Sequence, residues 1–181
     1  MSGRLEIRLA GMGGQGMILA GIILAEAAIR DGKNAVQTQS YGPEARGGAS
    51  RSEVVISCEA IDYPEVIQAD VLLCMSQQAC DCYCDTLKKN GLLIVDADHV
   101  QRTPTTRAIH AHLTSWAIET TGREITASVL ALGFLAGLTG VVSQESLAAA
   151  VLARTPRGTG DMNLQVLARG FAEAAALRQR V

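Results

Sequence analysis

Residues 4–30 read RLEIRLAGMGGQGMILAGIILAEAAIR, and the order of patterns inside this stretch decides the fold. From Arg4 to Ala10, Leu5, Ile7 and Leu9 alternate with Arg4, Glu6 and Arg8, the period of two expected of a strand. A glycine cluster follows, Gly11-Met12-Gly13-Gly14-Gln15-Gly16. Met17 to Ile29 is then apolar almost throughout, proline-free and rich in helix formers, which predicts a buried helix. Strand, glycine turn and helix together open a βαβ unit. Working outward, Asp31-Gly32 closes the helix and Asn34 to Ser40 reads as a second strand. A breaker-rich loop, Tyr41 to Gly48, looks too elaborate for a plain hairpin. Ser50 to Ser57 alternates again, with Val54 and Ile56 on one side and Glu53 and Val55 on the other. Val71–Cys74 and Leu92–Asp96 are short continuous apolar runs, suited to strands covered on both faces. A polar helix is expected between them over Gln77–Lys89, ended by Asn90-Gly91. Arg107 to His110 reads as an edge strand. Helices are expected over about 113–121, 124–139 and 144–153, with a last one near 161–179 after the break at Pro156, Gly158 and Gly160. The predicted class is α/β: a Rossmann-like open, mostly parallel sheet with helices on both faces and a helical C-terminal part, in a single domain spanning 1–181.

At 181 residues and 48% hydrophobic, the chain can bury a core without covalent staples. Sixteen Lys+Arg against 18 Asp+Glu leave a net charge of −2, so no basic field holds a polyanion, and 3% aromatics provide few stacking platforms. General nucleic-acid binding is thereby disfavoured. Five cysteines, an odd number with four of them between Cys74 and Cys84, do not make a disulfide framework and point to a reducing cytoplasm. MSGRLEIRLAG lacks the apolar stretch and small-residue cleavage site of a signal peptide. Ile125 to Val142 carries no charge, but it lacks an aromatic belt and a basic flank, so a helix buried on all sides is expected rather than a membrane span. Gly133 and Gly137 share a face of that helix and would admit another helix or strand closely.

The glycine cluster carries the most chemistry. Glycines after a strand let the backbone approach a phosphate, and the following helix offers unpaired N–H groups and the positive end of its dipole. The spacing satisfies G-x-G-x-x-G, which favours phosphate or nucleotide binding, with tight strand–helix packing alone as the alternative. The acidic residue that holds a dinucleotide's ribose is missing, because its position reads Thr38-Gln39-Ser40, and no Lys-Ser/Thr follows the glycines as in a Walker A loop. The second loop, Ser40-Tyr41-Gly42-Pro43-Glu44-Ala45-Arg46-Gly47-Gly48, should leave the same sheet edge as the first. There Arg46 could bind phosphate and Tyr41 could stack on a ring; a solvated surface turn is the alternative. Cys80 and Cys84 would share a helix face with Cys82 pointing away, without metal-ligand spacing, so these thiols read as incidental and no metal site is expected. His99, His110 and His112 show no partner, and Asp96 and Asp98 read as loop or cap residues. No catalytic residue is evident.

The wording of three segments is more specific than their spacing. GMGGQGMILAGIILAEAA (11–28), QTQSYGPEARGGASRSEVVIS (37–57) and IDYPEVIQADVLLCMSQQACD (61–81) resemble the gamma subunit of 2-oxoacid:ferredoxin oxidoreductases, most of all the 2-oxoglutarate branch, with pyruvate and branched-chain members close behind. The resemblance implies a coenzyme A-binding subunit of a cytoplasmic complex that converts a 2-oxoacid, coenzyme A and oxidised ferredoxin into acyl-CoA, carbon dioxide and reduced ferredoxin. It implies that thiamine diphosphate, magnesium and iron–sulfur clusters sit in partner chains: alpha and beta subunits, and a delta subunit where one is present. Ferredoxin would be met through the complex, and neither nucleic acid nor membrane would be a partner. By motif, Gly11, Gly13, Gly14, Gln15 and Gly16 would approach the phosphates of coenzyme A. Ser40, Tyr41, Gly42, Pro43, Glu44, Arg46, Gly47 and Gly48 would line the remaining pocket or a subunit interface. Ser128 stands where the family pattern has an Asn. A stand-alone NAD- or FAD-dependent oxidoreductase and a purely structural docking subunit are the competing readings.

Overall fold

The computed structural model describes residues 3–41, 49–105 and 107–179. Its elements are β1 (Leu5–Met12), α1 (Met17–Arg30), β2 (Asn34–Tyr41), β3 (Ala49–Ser57), β4 (Ala69–Cys74), α2 (Gln77–Tyr83), β5 (Leu87–Asp96), β6 (Ile109–Ala111), α3 (Leu113–Thr121), α4 (Ala127–Thr139), α5 (Gln144–Arg154) and α6 (Gly160–Arg178). The strands make one six-stranded sheet in the order β2-β3-β1-β4-β5-β6. β1, β4, β5 and β6 are parallel. β3 runs against both β1 and β2, so the sheet is mixed at that end. β2 and β3 pair antiparallel in continuous register from Asn34 opposite Ser57 to Tyr41 opposite Ser50, and residues 42–48 between them exceed a plain hairpin turn, as expected.

The alternation in β1 and β4 divides the core. Ile7, Leu9, Val54, Ile56, Val71, Leu73 and Ile94 face the layer that contains α1, α3 and α4. Ala10, Leu72, Cys74, Leu93 and Val95 face the other side, where Ala79 and Cys80 of α2 cover them. The uncharged run becomes α4, buried from Ala127 to Ala136, and among the described residues no helix is long and apolar enough to cross a membrane. Its glycines serve packing as expected. A Cβ on Gly133 would fall 2.4 Å from the Leu167 carbonyl oxygen, and one on Gly170 of α6 would fall 2.2 Å from that of Leu130.

Two elements depart from the sequence reading. α2 ends at Tyr83, and after a short 3-10 turn the chain joins the sheet at Leu87, where a continuing helix was expected. Ala69 pairs with Leu87 but Val71 with Leu92, so the residues between them bulge out. There the Lys88 ammonium donates to both carboxylate oxygens of Asp70 at 2.9 Å, one of the tertiary contacts that accompany the change from helix to strand. β6 begins two residues and ends one residue later than the span expected, 107–110.

In β1, Arg8 alternates with Ile7 and Leu9 and so lies on the sheet face away from α1. That face is covered, and Arg8 is 3% exposed, directly opposite Glu53 at 6%. Its Nε donates to Glu53 Oε1 at 2.8 Å, its Nη2 to the Val66 carbonyl at 2.7 Å and its Nη1 to Thr86. The guanidinium also stands 5.7 Å from the Tyr83 ring centre. Removing one partner strands a buried charge, so Glu53→Ala should cost about 3–5 kcal/mol of unfolding free energy. The apolar pair Arg8→Met with Glu53→Leu should cost far less; urea titration followed by Trp116 fluorescence measures both.

Candidate ligand site at the strand crossover

β1 and β4 are parallel neighbours, yet the helices that follow them pack on opposite faces of the sheet. Between their carboxyl ends lies a topological switch point, the place where open α/β sheets bind ligands. The glycine turn sits there. Gly13 and Gly14 are exposed, and Gly16 enters α1 in the left-handed region at φ 77°. Among the described residues no side chain caps α1, and its first turn holds no acidic residue. The first-turn N–H groups are therefore unspent and carry the positive end of the helix dipole.

Gln15 holds this turn together. Its backbone N–H donates to the Met12 carbonyl at 3.1 Å, and its Oε1 accepts the Met12 N–H at 2.7 Å. Its Nε2 donates to the Met75 carbonyl at 3.0 Å, while the Met75 N–H donates to Ala10 at 2.8 Å. The amide of Gln15 is thus used in tying the turn to the end of β4. A cavity of about 210 Å³ opens beside it, lined by Gly14, Gln15, Met75, Thr114, Glu124, Ile125 and Ala127. Ile125, which lines it, is 64% exposed, and Met12 at the start of the glycine turn is 44% exposed.

The wall at Thr114 is supported from behind. Asp96 is fully buried and accepts the Thr114 hydroxyl at 2.5 Å. Burial pushes its carboxyl above the ordinary range, against the hydrogen bonds from Thr114 and from the Asp98 N–H. Asp98 behaves oppositely: burial opposes its ionisation, but hydrogen bonds from His112 and Ser115 outweigh this and hold it low. It accepts the Ser115 N–H at 2.6 Å and lies 2.7 Å from His112 Nδ1. Both aspartates thus anchor the start of α3, a cap role as expected. The His112 partnership was not legible, because nothing in the sequence links positions 98 and 112.

Ser40 and Tyr41 end β2, which runs in the same direction as β1, so the second loop leaves the same edge as the first, as expected. Ser50 pairs with both Tyr41 and Gly11, putting the two exits two strand spacings apart, about 10 Å. Gly42, Pro43, Glu44, Arg46, Gly47 and Gly48 lie outside the described residues. Among the cysteines, Cys82 is exposed while Cys80 and Cys84 share a face with their sulfurs 3.2 Å apart. The buried Cys74 joins them. The hydrogen bond with Cys74 lowers the Cys80 thiol to about 7, and the same contact pushes Cys74 up. The parity of β4 offered a signal for this grouping, since Cys74 shares the α2-facing side with Leu72.

A glycine turn and an uncapped helix start at a switch point make an α/β module whose crevice is suited by its free N–H groups and helix dipole to an anionic ligand. A family model described as pyruvate ferredoxin/flavodoxin oxidoreductase matches residues 6–173. The 2-oxoglutarate synthase subunit KorC of Methanocaldococcus jannaschii is 49% identical over 182 residues, covering 96% of each chain. The crystal structure of a keto/oxoacid ferredoxin oxidoreductase gamma subunit from Geobacter sulfurreducens superposes with a TM-score of 0.87 at 48% identity, covering 97% of this chain and 98% of that one. A 2-oxoglutarate:ferredoxin oxidoreductase from Magnetococcus marinus, solved with 2-oxoglutarate, coenzyme A and succinyl-CoA bound, shares the fold with a TM-score of 0.85 at 23% identity, over 97% of this chain and 32% of that one. The chain belongs to the pyruvate ferredoxin/flavodoxin oxidoreductase family, and within it to the gamma-subunit type.

Gly16 is the most constrained position of the turn. A Cβ there would lie 2.8 Å from the Ser128 hydroxyl, on a backbone that costs an L-residue about 1–2 kcal/mol. Gly16→Ala should lower stability by at least that amount in a guanidinium titration. Adding Ser128→Ala should recover only the part due to the clash.

Proposed function

We propose that the chain is the coenzyme A-binding gamma subunit of a 2-oxoglutarate:ferredoxin oxidoreductase. The complex would convert 2-oxoglutarate, coenzyme A and oxidised ferredoxin into succinyl-CoA, carbon dioxide and reduced ferredoxin. The observation that carries the reading is the uncapped start of α1 behind an open glycine turn at the β1/β4 crossover, in a chain 49% identical to a 2-oxoglutarate synthase subunit. The pyrophosphate of coenzyme A is suited to the N–H groups of Gly13, Gly14, Gly16 and the first turn of α1. Gln15 would act by shaping the turn, since its amide is already used. Glu124 makes one side of the cavity unfavourable for phosphate and better suited to the neutral pantetheine arm.

At about 210 Å³ the cavity falls below the roughly 300–1,000 Å³ of complete ligand pockets. This chain would therefore supply one wall of the site, with Ser40, Tyr41 and residues 42–48 and the partner subunits supplying the rest. Thiamine diphosphate, magnesium and iron–sulfur clusters belong to those partners in this reading, and this subunit delivers the coenzyme A thiol without a catalytic residue of its own. The exposed Met12 and Ile125 favour a second reading, in which the same edge serves docking alone.

Gly13 separates the two readings, because a Cβ there meets no atom within 4 Å and its backbone does not require glycine. In the assembled enzyme, Gly13→Trp should raise the KM for coenzyme A at least about tenfold, the equivalent of 1.4 kcal/mol. Coenzyme A-independent consumption of 2-oxoglutarate in a single turnover should remain near normal. Equal loss of both activities, or no change in KM, favours docking.

A further inference from the structure

A second cluster lies on the opposite side of the sheet from α1. Cys74 ends β4, Cys80 lies within α2 and Cys84 begins the turn that follows it. The three sulfurs lie within 4.8 Å of one another. Cys74 and Cys80 are buried and Cys84 is partly exposed. A cleft of about 310 Å³, lined in part by Cys80, Cys84 and Arg102, leads to them. The Arg102 carbonyl oxygen stands 3.7 Å from the Cys80 sulfur. Gln77 fixes it there: its Nε2 donates to that oxygen at 3.1 Å and its Oε1 accepts the Arg102 N–H at 3.0 Å.

The spacing suits one ion. Zinc–sulfur bonds of about 2.3 Å in a tetrahedral site set the sulfurs roughly 3.8 Å apart, within the reach of this trio. Thiolates on an iron–sulfur cluster sit on separate irons and stand further apart, so a cluster is disfavoured. An all-sulfur set selects soft cations and rejects magnesium and calcium.

We propose that Cys74, Cys80 and Cys84 bind a single thiophilic d10 cation, Zn(II) or Cu(I), entering through the cleft at Arg102. For Zn(II), the Arg102 carbonyl or a water from the cleft completes the tetrahedron; for Cu(I), the three sulfurs suffice. The ion cross-links the end of β4 to α2. It does so one residue before Met75, whose carbonyl anchors Gln15. The site is independent of the coenzyme A reading, because it requires neither the glycine turn nor a partner chain.

The test uses the full chain, reduced, metal-free and without oxygen, titrated with Zn(II) against a chromophoric chelator and with Cu(I) against a colorimetric competitor. The expected result is one equivalent bound by at least one of the two ions, with Co(II) substitution giving thiolate charge-transfer absorption. Cys84→Ser, at the partly exposed position, should weaken binding beyond the roughly 10–100-fold that loss of a supporting residue costs. Cys58→Ser with Cys82→Ser, removing the two exposed thiols, should leave binding unchanged. Absence of one-to-one binding in the wild-type chain overturns the proposal. So does full retention of binding in Cys80→Ser with Cys84→Ser, with circular dichroism verifying that each variant is folded.

Discussion

The chain leaving β1 turns to one face of the sheet and the chain leaving β4 turns to the other, so the carboxyl ends of these neighbours are left with an open crevice between them. One side-chain amide holds that crevice in shape: Gln15 bridges the Met12 N–H and the Met75 carbonyl. With the turn tied at both ends, Gly13 and Gly14 stay exposed and the start of α1 points its unspent N–H groups at the gap. The proposed binding of coenzyme A rests on this arrangement of backbone N–H groups.

The layers beneath make the crevice rigid. β1 is central in the sheet, and both of its faces are covered, one by an aliphatic core and the other partly by a buried ion pair with hydrogen bonds from three directions. α4 and α6 come into backbone contact through Gly133 and Gly170, which keeps Ser128 and Ala127 of α4 against the glycine turn and the cavity. Behind Thr114, Asp96 is held by hydrogen bonds at a depth where a free carboxylate would be costly. A ligand at the crossover therefore meets a wall with little freedom to yield.

Much of this was legible in the sequence, and the exceptions have one cause. Period-two alternation located β1 and β3, glycine and proline breaks located the turns, and the long apolar run with paired glycines became the buried α4. Each of those signals is local. The misreadings depended on contacts between distant residues. The burial of Arg8 was not legible because its partner Glu53 and its cover, Val66 and Thr86, lie 45 to 78 residues away. Lys88 and Lys89 looked helical because nothing local announces Asp70 as the partner of Lys88. The role of Gln15 as a clamp required the Met75 carbonyl, 60 residues on. The cysteine trio was half legible: spacing within α2 pairs Cys80 with Cys84 and the parity of β4 turns Cys74 to the same side, but no ligand spacing joins the three.

The central claim is that the backbone N–H groups of the glycine turn and the first turn of α1 receive the phosphates of coenzyme A. Those amides have no intrahelical partner, so they should exchange with deuterium rapidly in the ligand-free complex and slowly once bound. Hydrogen exchange of the assembled enzyme, with and without coenzyme A, measures this directly. The account predicts protection concentrated in Gly13 to Leu19. Unchanged exchange there, with protection appearing only elsewhere in the complex, would contradict it.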